Sequence, residues 1–284
     1  MSVVAVNGAT LAYTESGPVS GIPVVFSHSL FLDHTMFDDL ADFFSGHGFH
    51  VIAYDHRNQG RSAPAARDYL DMDTLTEDAV ALIERLHVHP CHFVGNSLGG
   101  FVALRLAARR PDLLLTACAL GSSAEAEARA DEYQALLDVF GAKGSEVIIE
   151  VLMHQMFGDT TLAMRPKICE PWRKFMQRLP RSIGDSAYCV IHRPGIIDEL
   201  ADCQVPVLAV AGSEDHTYPQ PISGGTIAFA TGGTEVTIEG AGHSVALERP
   251  DLVAHHLLRH FTAERTTDRS RDVRKGRRAP QVSF

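Results

Sequence analysis

The chain has 284 residues, 45% of them hydrophobic and 21% charged, which is the composition of an ordinary globular protein that needs no disulfide or metal to hold its core. Its formal net charge is −10, and because the segment 262–284 carries seven Lys or Arg against three Asp or Glu, the remainder carries −14. This balance argues against nucleic acid as the main partner, and no stretch approaches the roughly 18 unbroken apolar residues of a membrane helix.

Short β-branched runs alternate with helical patterns along the chain. This alternation predicts an α/β fold, with a mostly parallel eight-stranded sheet flanked by helices. The sheet should open with a hairpin of residues 3–6 and 11–14 around the turn Asn7-Gly8. Later strands are expected at 24–26, 51–54, 93–95, 113–120, 207–211 and 235–238, and helices at 36–46, 73–87, 98–110 and 250–261.

Residues 122–200 interrupt the alternation with helical patterns such as Ala124–Phe140 and Glu146–Phe157. We interpret this stretch as a helical cap, inserted in the chain between two strands of the sheet. The core would then comprise residues 1–121 and 201–261, followed by a basic, loosely ordered tail at 262–284. Within the cap, His192 and Arg193 are expected at the surface, with a position facing the substrate as the alternative. Six large apolar residues should mainly pack, some of them lining an apolar pocket: Met153, Met156, Phe157, Met164, Trp172 and Met176.

A candidate nucleophile, Ser97, lies in the pattern Gly95-x-Ser97-x-Gly99, after an apolar strand and before a helix. That context predicts a strained strand-to-helix turn that exposes the hydroxyl. The glycines leave room for close backbone approach, and the helix N-terminus favours developing negative charge. Because a serine hydroxyl is a poor nucleophile without a base, a histidine must meet it in the folded chain.

The order and context of these segments resemble the α/β-hydrolase family over roughly residues 1–261, in particular its esterase- and lactonase-like members with a helical cap. In that family the histidine follows the last strand in a Gly-His loop, and the segment ending in Gly242-His243 is similar to that loop. The acid follows the penultimate strand, which implies Asp215, with neighbouring Glu214 as the alternative carboxylate. The resemblance therefore implies a catalytic triad of Ser97, Asp215 and His243, in which the aspartate fixes the imidazole tautomer.

The resemblance also implies an oxyanion hole. One donor would be the backbone N–H of Leu98, directly after the nucleophile, and the other would come from the loop after the third strand. There Ser29 stands where the family usually has glycine, which resembles the Asn-Ser-Leu version of enol-lactonase-type members, and Leu30 is the implied donor. His28 is expected to orient this loop by hydrogen bonding.

The segment Asp55-His-Arg57-Asn58-Gln-Gly60-Arg-Ser62 resembles the family's Asp-x-Arg-Gly-x-Gly-x-Ser turn. The resemblance implies that Asp55 and Arg57 brace loops near the site. Asn58 replaces the usual glycine.

These residues predict a serine hydrolase that cleaves a carboxylic ester or lactone through an acyl-enzyme. Carbon–carbon bond hydrolysis of a ring-fission diketone is an alternative, although such relatives often carry an aromatic residue where this chain has Ser244. A cofactor-free perhydrolase is a weaker alternative, because the proline typical of its oxyanion loop is missing. A non-enzymatic receptor or signalling protein that retains the triad is the alternative from another class.

No cofactor and no metal are expected, since neither a HExxH pattern nor a glycine-rich phosphate loop occurs. The five cysteines are odd in number and scattered without a CxxC pair. Together with the lack of a secretory signal pattern, this suggests a reduced cytoplasm. The expected partner is a small-molecule ester or lactone, and the oligomeric state stays open.

Overall fold

The computed structural model describes residues 1–275, with side chains up to residue 263, and confirms the predicted α/β fold. Eight strands form one sheet in the order β1-β2-β4-β3-β5-β6-β7-β8. β1 and β2 pair antiparallel, as do β2 and β4, and all other neighbours are parallel. The strands are β1 Ser2–Val6, β2 Ala9–Ser16, β3 Pro23–Ser27, β4 His50–Tyr54, β5 Cys91–Asn96, β6 Leu114–Leu120, β7 Val207–Gly212 and β8 Thr234–Ile238.

The central strands are short apolar runs because helices cover both faces of a parallel sheet. In β4, β5 and β7 every residue is buried. The opening hairpin turns at Asn7 and Gly8, both of which have positive φ, as the predicted turn requires. The carboxyl ends of the parallel strands lie along one edge, where ligands bind in folds of this kind.

Twelve α-helices are present in the described residues, and α1, α2, α3 and α12 lie where the sequence predicted the helices of the core. α1 packs against α12, and α2 packs against α3. The helices are α1 Asp38–Gly46, α2 Met72–Arg85, α3 Leu98–Arg109, α4 Ala130–Lys143, α5 Ile149–Met156, α6 Asp159–Met164, α7 Pro166–Met176, α8 Ile183–Ile191, α9 Ile197–Leu200, α10 Gly225–Thr231, α11 Val245–Glu248 and α12 Pro250–Lys275.

Between β6 and β7 the chain forms α4 to α9 and no strand over residues 121–206, all of which are described. The helix predicted from Ala124 begins only at Ala130. The backbone before Ala130 forms other hydrogen bonds instead of helical ones. Ile196 N–H donates to the Ala124 carbonyl at 2.8 Å, and Glu125 N–H donates to Ser123 Oγ at 3.0 Å. The boundaries of the cap as a separate domain remain a prediction.

The last helix, α12, continues past residue 261, where the sequence pattern predicted its end. Of the tail predicted to be loosely ordered at 262–284, residues 262–275 belong to α12 and residues 276–284 lie outside the described residues, so the tail as a whole stays a prediction. Over the described part of the chain, no helix combines the length and apolarity needed to cross a membrane.

Candidate active site

Ser97 occupies a sharp turn between β5 and α3. Its backbone has φ 53° and ψ −111°, a strained conformation for a residue with a side chain. The turn is held because Ser97 N–H donates to the Leu120 carbonyl at 2.8 Å, and Ser122 Oγ donates to the Ser97 carbonyl at 2.9 Å. A Cβ on Gly95 would overlap the Gly99 carbonyl, so the glycines of the pattern are required by close backbone approach.

His243 and Asp215 lie together at the carboxyl ends of β8 and β7. His243 Nδ1 is 3.1 Å from Asp215 Oδ2, and both side chains are buried. The second carboxylate oxygen, Oδ1, accepts from Thr217 N–H at 2.8 Å and from Tyr218 N–H at 2.9 Å. Burial raises the pKa of Asp215, but His243 and these backbone donors outweigh it, so the pKa lies below its usual value. An ionised carboxylate only accepts, so Nδ1–H of His243 donates this hydrogen bond, and in the neutral ring Nε2 then carries the lone pair.

Glu214, the alternative carboxylate, faces the cap instead. It accepts from the backbone N–H of Thr160 at 2.7 Å and from the Thr160 hydroxyl at 2.6 Å. The structure therefore joins Asp215, and not Glu214, to His243.

The two predicted oxyanion donors are available. Neither Leu30 N–H nor Leu98 N–H has a hydrogen-bond acceptor among the described residues. Leu98 is the first residue of α3, where backbone N–H groups have no partner within the helix. Asn96 ties the loop to the site, because its Nδ2 donates to Ser29 Oγ at 3.0 Å and to the His243 carbonyl at 3.0 Å.

His28 orients the oxyanion loop from behind. Its Nδ1–H donates to the Ser29 carbonyl at 2.8 Å, and its Nε2 accepts from His56 N–H at 3.0 Å. This pattern requires the neutral ring, and burial lowers the pKa of His28 accordingly. His28 thus contacts backbone rather than the cavity.

Asp55 and Arg57 brace loops, in agreement with the role that the resemblance implied. Asp55 accepts from the backbone N–H groups of His34 and Arg61, both at 2.8 Å, and from His34 Nδ1 at 2.8 Å. Arg57 donates to Asp78 on α2 and to the Asn7 carbonyl. These contacts fix the loop after β4 against its neighbours.

Asn58, which stands in place of the family's glycine, links the core to the cap. Its φ of 64° explains why glycine is usual there, and asparagine is the residue that best tolerates this conformation otherwise. Its Nδ2 donates to the Ser182 carbonyl at 2.8 Å and to Ser186 Oγ at 3.2 Å. The substitution therefore adds a tether to α8.

Ser97 and His243 line the same cavity of about 80 Å³ beneath the cap. Most of its wall is apolar and comes from the oxyanion loop and the cap helices, namely Leu30, Leu136, Phe140, Leu152, Met156 and Val190. Of the six large cap residues singled out from the sequence, Met156 lines this cavity. Met153, Phe157 and Met176 pack in the core, and Met164 is exposed. The cavity joins the proposed nucleophile and base in a largely apolar environment.

A buried ion pair beside the triad was not predicted. Arg193 Nη1 lies 3.1 Å from Glu127 Oε2, and Tyr218 donates its hydroxyl proton to the same oxygen at 2.9 Å. The Arg193 guanidinium also stacks 4.1 Å from the centroid of the Phe101 ring. The expectation that Arg193 lies at the surface was wrong, since the residue is only 4% exposed. His192 is exposed as expected.

Sequence reasoning missed this pair for a physical reason. Glu127 lies in an alternating Ala-Glu stretch that reads as a solvated helix, and Arg193 is 66 residues away. Glu248 was missed as well, although it is fully buried and accepts from Gly242 N–H and Gly158 N–H, both at 3.0 Å. It fixes the loop of His243 to the cap. Its position five residues after His243 is the one signal that could have drawn attention to it.

The fold and this arrangement define a chain of the hydrolase class, and comparison with known proteins agrees. The model of the alpha/beta hydrolase family matches residues 24–256, and the chain belongs to this family. A non-heme chloroperoxidase of Streptomyces lividans is 27% identical, with 89% of this chain and 96% of the relative covered. A 3-oxoadipate enol-lactonase of Acinetobacter baylyi is 25% identical over 74% of this chain and 77% of the relative.

A solved structure shows the same fold. The crystal structure of the enol-lactonase from Burkholderia xenovorans superposes with a TM-score of 0.84 at 23% identity, covering 92% of this chain and all of the other. At this identity the likeness concerns the fold alone.

Proposed function

We propose that the protein is a serine hydrolase that cleaves a carboxylic ester or lactone through an acyl-enzyme intermediate. The observation that carries this proposal is the shared apolar cavity. Ser97 and His243 both line it, and His243 is held by the ionised Asp215. An unpaired base nitrogen and a strained serine facing one apolar pocket are the elements that acyl transfer requires.

In the proposed mechanism, Ser97 Oγ attacks the substrate carbonyl while His243 Nε2 accepts the hydroxyl proton. Asp215 stabilises the imidazolium that forms. The N–H groups of Leu30 and Leu98 hold the negative oxygen, and His243 returns the proton to the leaving alcohol. Water, activated by the same imidazole, then attacks the acyl-enzyme and releases the acid. With a lactone, the leaving alcohol remains part of the acyl chain, so deacylation releases a single hydroxy acid.

The cavity favours a small, uncharged acyl group. One water molecule needs roughly 10–15 Å³ of cavity volume, so the cavity of about 80 Å³ has room for roughly five to eight chemical groups, each of the size of a water molecule. The described residues that line the cavity include no lysine or arginine, and the charge of the buried Arg193 nearby is balanced by Glu127, so this wall offers no cation to receive a substrate carboxylate. The hydroxyl of Tyr133, another residue of the cavity wall, has no hydrogen-bond partner among the described residues. We propose that it bonds a polar atom of the substrate.

The direct test is turnover of a panel of short p-nitrophenyl esters and small lactones by the parental chain and by Ser97→Ala. We expect the variant to lose at least about 10³-fold in kcat with its fold intact. Ser45→Ala is the matched control, because its hydroxyl lies on α1 and bonds only the Asp42 carbonyl. Near-parental turnover by Ser97→Ala would exclude the mechanism.

Further substrates in the same panel separate the other functions. Loss of colour from a ring-fission diketone, faster than any ester, would establish carbon–carbon bond hydrolysis. Peracid formation from acetate and hydrogen peroxide tests perhydrolase activity, which the chloroperoxidase relative brings into consideration. If the chain turns over none of these compounds, the result would instead favour the hypothesis of a non-enzymatic receptor or signalling protein that retains the triad.

Tyr133→Phe tests the proposed substrate contact. The change removes one hydroxyl and keeps the ring, so we expect esters or lactones with a second polar atom to lose about tenfold in kcat/KM, while purely apolar esters keep their rates. An equal effect on both kinds of substrate would contradict the contact.

A further inference from the structure

Two histidines and an aspartate meet at the surface where the cap touches the loop of Asp215. His154 lies in the last turn of α5, Asp159 begins α6, and His216 directly follows Asp215. His216 Nε2 is 3.2 Å from Asp159 Oδ1, and His154 Nδ1 is 3.6 Å from the same oxygen. All three potential ligand atoms lie within 4.8 Å of one another. The two imidazole rings stack with their centroids 4.0 Å apart.

This donor set is the kind that binds transition metals. Two imidazole nitrogens and one carboxylate oxygen suit zinc, nickel, copper or iron(II), whereas calcium and magnesium prefer sites made of oxygen alone. With metal–ligand bonds of about 2.0–2.1 Å, tetrahedral ligands lie roughly 3.3 Å from one another. The two distances to Asp159 Oδ1 already fall within a few tenths of an ångström of that value.

The surroundings leave the ligands free to adjust. The side chains of His154 and Asp159 are 55% and 67% exposed, and that of His216 is 31% exposed. Modest rotations of the two rings would turn their lone pairs towards one point, and water can supply the remaining ligand. We propose that His154, Asp159 and His216 form a binding site for a divalent transition metal, with zinc as the ion that fits the donor set and distances.

A metal at this place would link the cap to the loop of the proposed catalytic acid. The two segments already touch, because Thr217 Oγ1 donates to the Gln155 carbonyl at 2.9 Å, and each of these residues is adjacent in sequence to one of the histidines. Helix α5 also contributes Leu152 and Met156 to the cavity wall. Bound zinc would therefore hold α5 over the cavity and stabilise the folded chain.

Isothermal titration of the full chain with zinc chloride tests the site. We expect His216→Gln either to lose one zinc site relative to the parental protein or to bind zinc at that site at least about tenfold more weakly. Even the loss of a residue that only hydrogen-bonds to a metal ligand lowers metal affinity by about tenfold. His154→Gln should behave in the same way, and magnesium chloride should give no binding. His192→Gln is the matched control, because it removes an exposed cap histidine elsewhere and should leave the stoichiometry unchanged.

Thermal unfolding gives a second readout. Zinc at 100 times its Kd should raise the Tm of the parental chain by roughly 5–10 °C, and that of His154→Gln by clearly less. Equal zinc binding and equal Tm shifts in the parental chain and in both ligand variants would overturn the proposal. Ester turnover by His154→Gln is measured in parallel without metal. This measurement tests the proposed function independently of zinc binding, so failure of the one proposal can be distinguished from failure of the other.

Discussion

The buried pair of Glu127 and Arg193 makes the stability of the cap sensitive to one carboxylate. Glu127→Ala would leave the Arg193 guanidinium, only 4% exposed, without a counter-charge, and the Tyr218 hydroxyl without its acceptor. Breaking a buried ion pair costs about 3–5 kcal/mol. The contact of Arg193 with the Phe101 ring is kept in the variant, so we expect a cost at the lower end of this range. We therefore expect the free energy of unfolding to fall by about 3 kcal/mol, and the Tm by roughly 6–12 °C.

Urea unfolding measures this loss. Trp172 is the only tryptophan of the chain and lies on α7, so its fluorescence reports on the cap while circular dichroism reports on the whole fold. The double variant Glu127→Leu/Arg193→Met removes both charges together and should recover most of the stability, because well-packed apolar residues replace buried ion pairs at little cost. Glu132→Ala is the matched control, since this exposed carboxylate pairs with Arg129 in water.

Two results would refute this reasoning. A loss below about 1 kcal/mol in Glu127→Ala would show that the guanidinium finds water or another partner. A double variant no more stable than the single one would show that the cost lies in lost packing rather than in an unpaired charge.

Three further predictions concern the triad and the loops that support it. Asp215→Asn should lower kcat for the best ester by about 10⁴-fold with little change in stability, because an amide favours the wrong tautomer of His243; steady-state kinetics with a fold check measures this. Burial raises the pKa of Asp55, but His34 and backbone donors lower it to about 2, so its stabilisation is complete above pH 3.8 and is lost as the pH falls towards 2. Urea midpoints between pH 5 and 2 should show this slope, and Asp55→Asn should flatten it. Asn58→Ala should be about 1 kcal/mol less stable than Asn58→Gly, because both lose the bonds to α8 but only alanine keeps the strain of a positive φ; equal stability would contradict this.

The sheet was predictable because its signals are local. The central strands β3 to β7 are mostly apolar runs of the length that a buried parallel strand needs, and the turn residues Asn7 and Gly8 separate the two strands of the opening hairpin. Ser97 was visible for a similar reason, since its turn imposes glycines at fixed offsets. The positions of His243 and Asp215 came from resemblance to a family, because nothing local to either residue shows that they meet.

The polar contacts between cap and core could not be predicted. Glu127 and Arg193 are far apart in the chain, and each alone resembles a solvated surface residue. Their burial results from how the cap closes on Tyr218 and Phe101, which is tertiary packing without a periodic signal. Asn58 shows the same limit. Its replacement of the family's glycine is explained only by its hydrogen bonds to the start of α8, which the sequence does not reveal.

The proposed function depends on Ser97 being a nucleophile activated by His243. Labelling with a fluorophosphonate, followed by intact mass and peptide mapping, tests this most directly. We expect one adduct per chain, located on Ser97, absent from Ser97→Ala and formed at least about 10³-fold more slowly in His243→Ala. An adduct on another residue, or equally fast labelling without the imidazole, would contradict it.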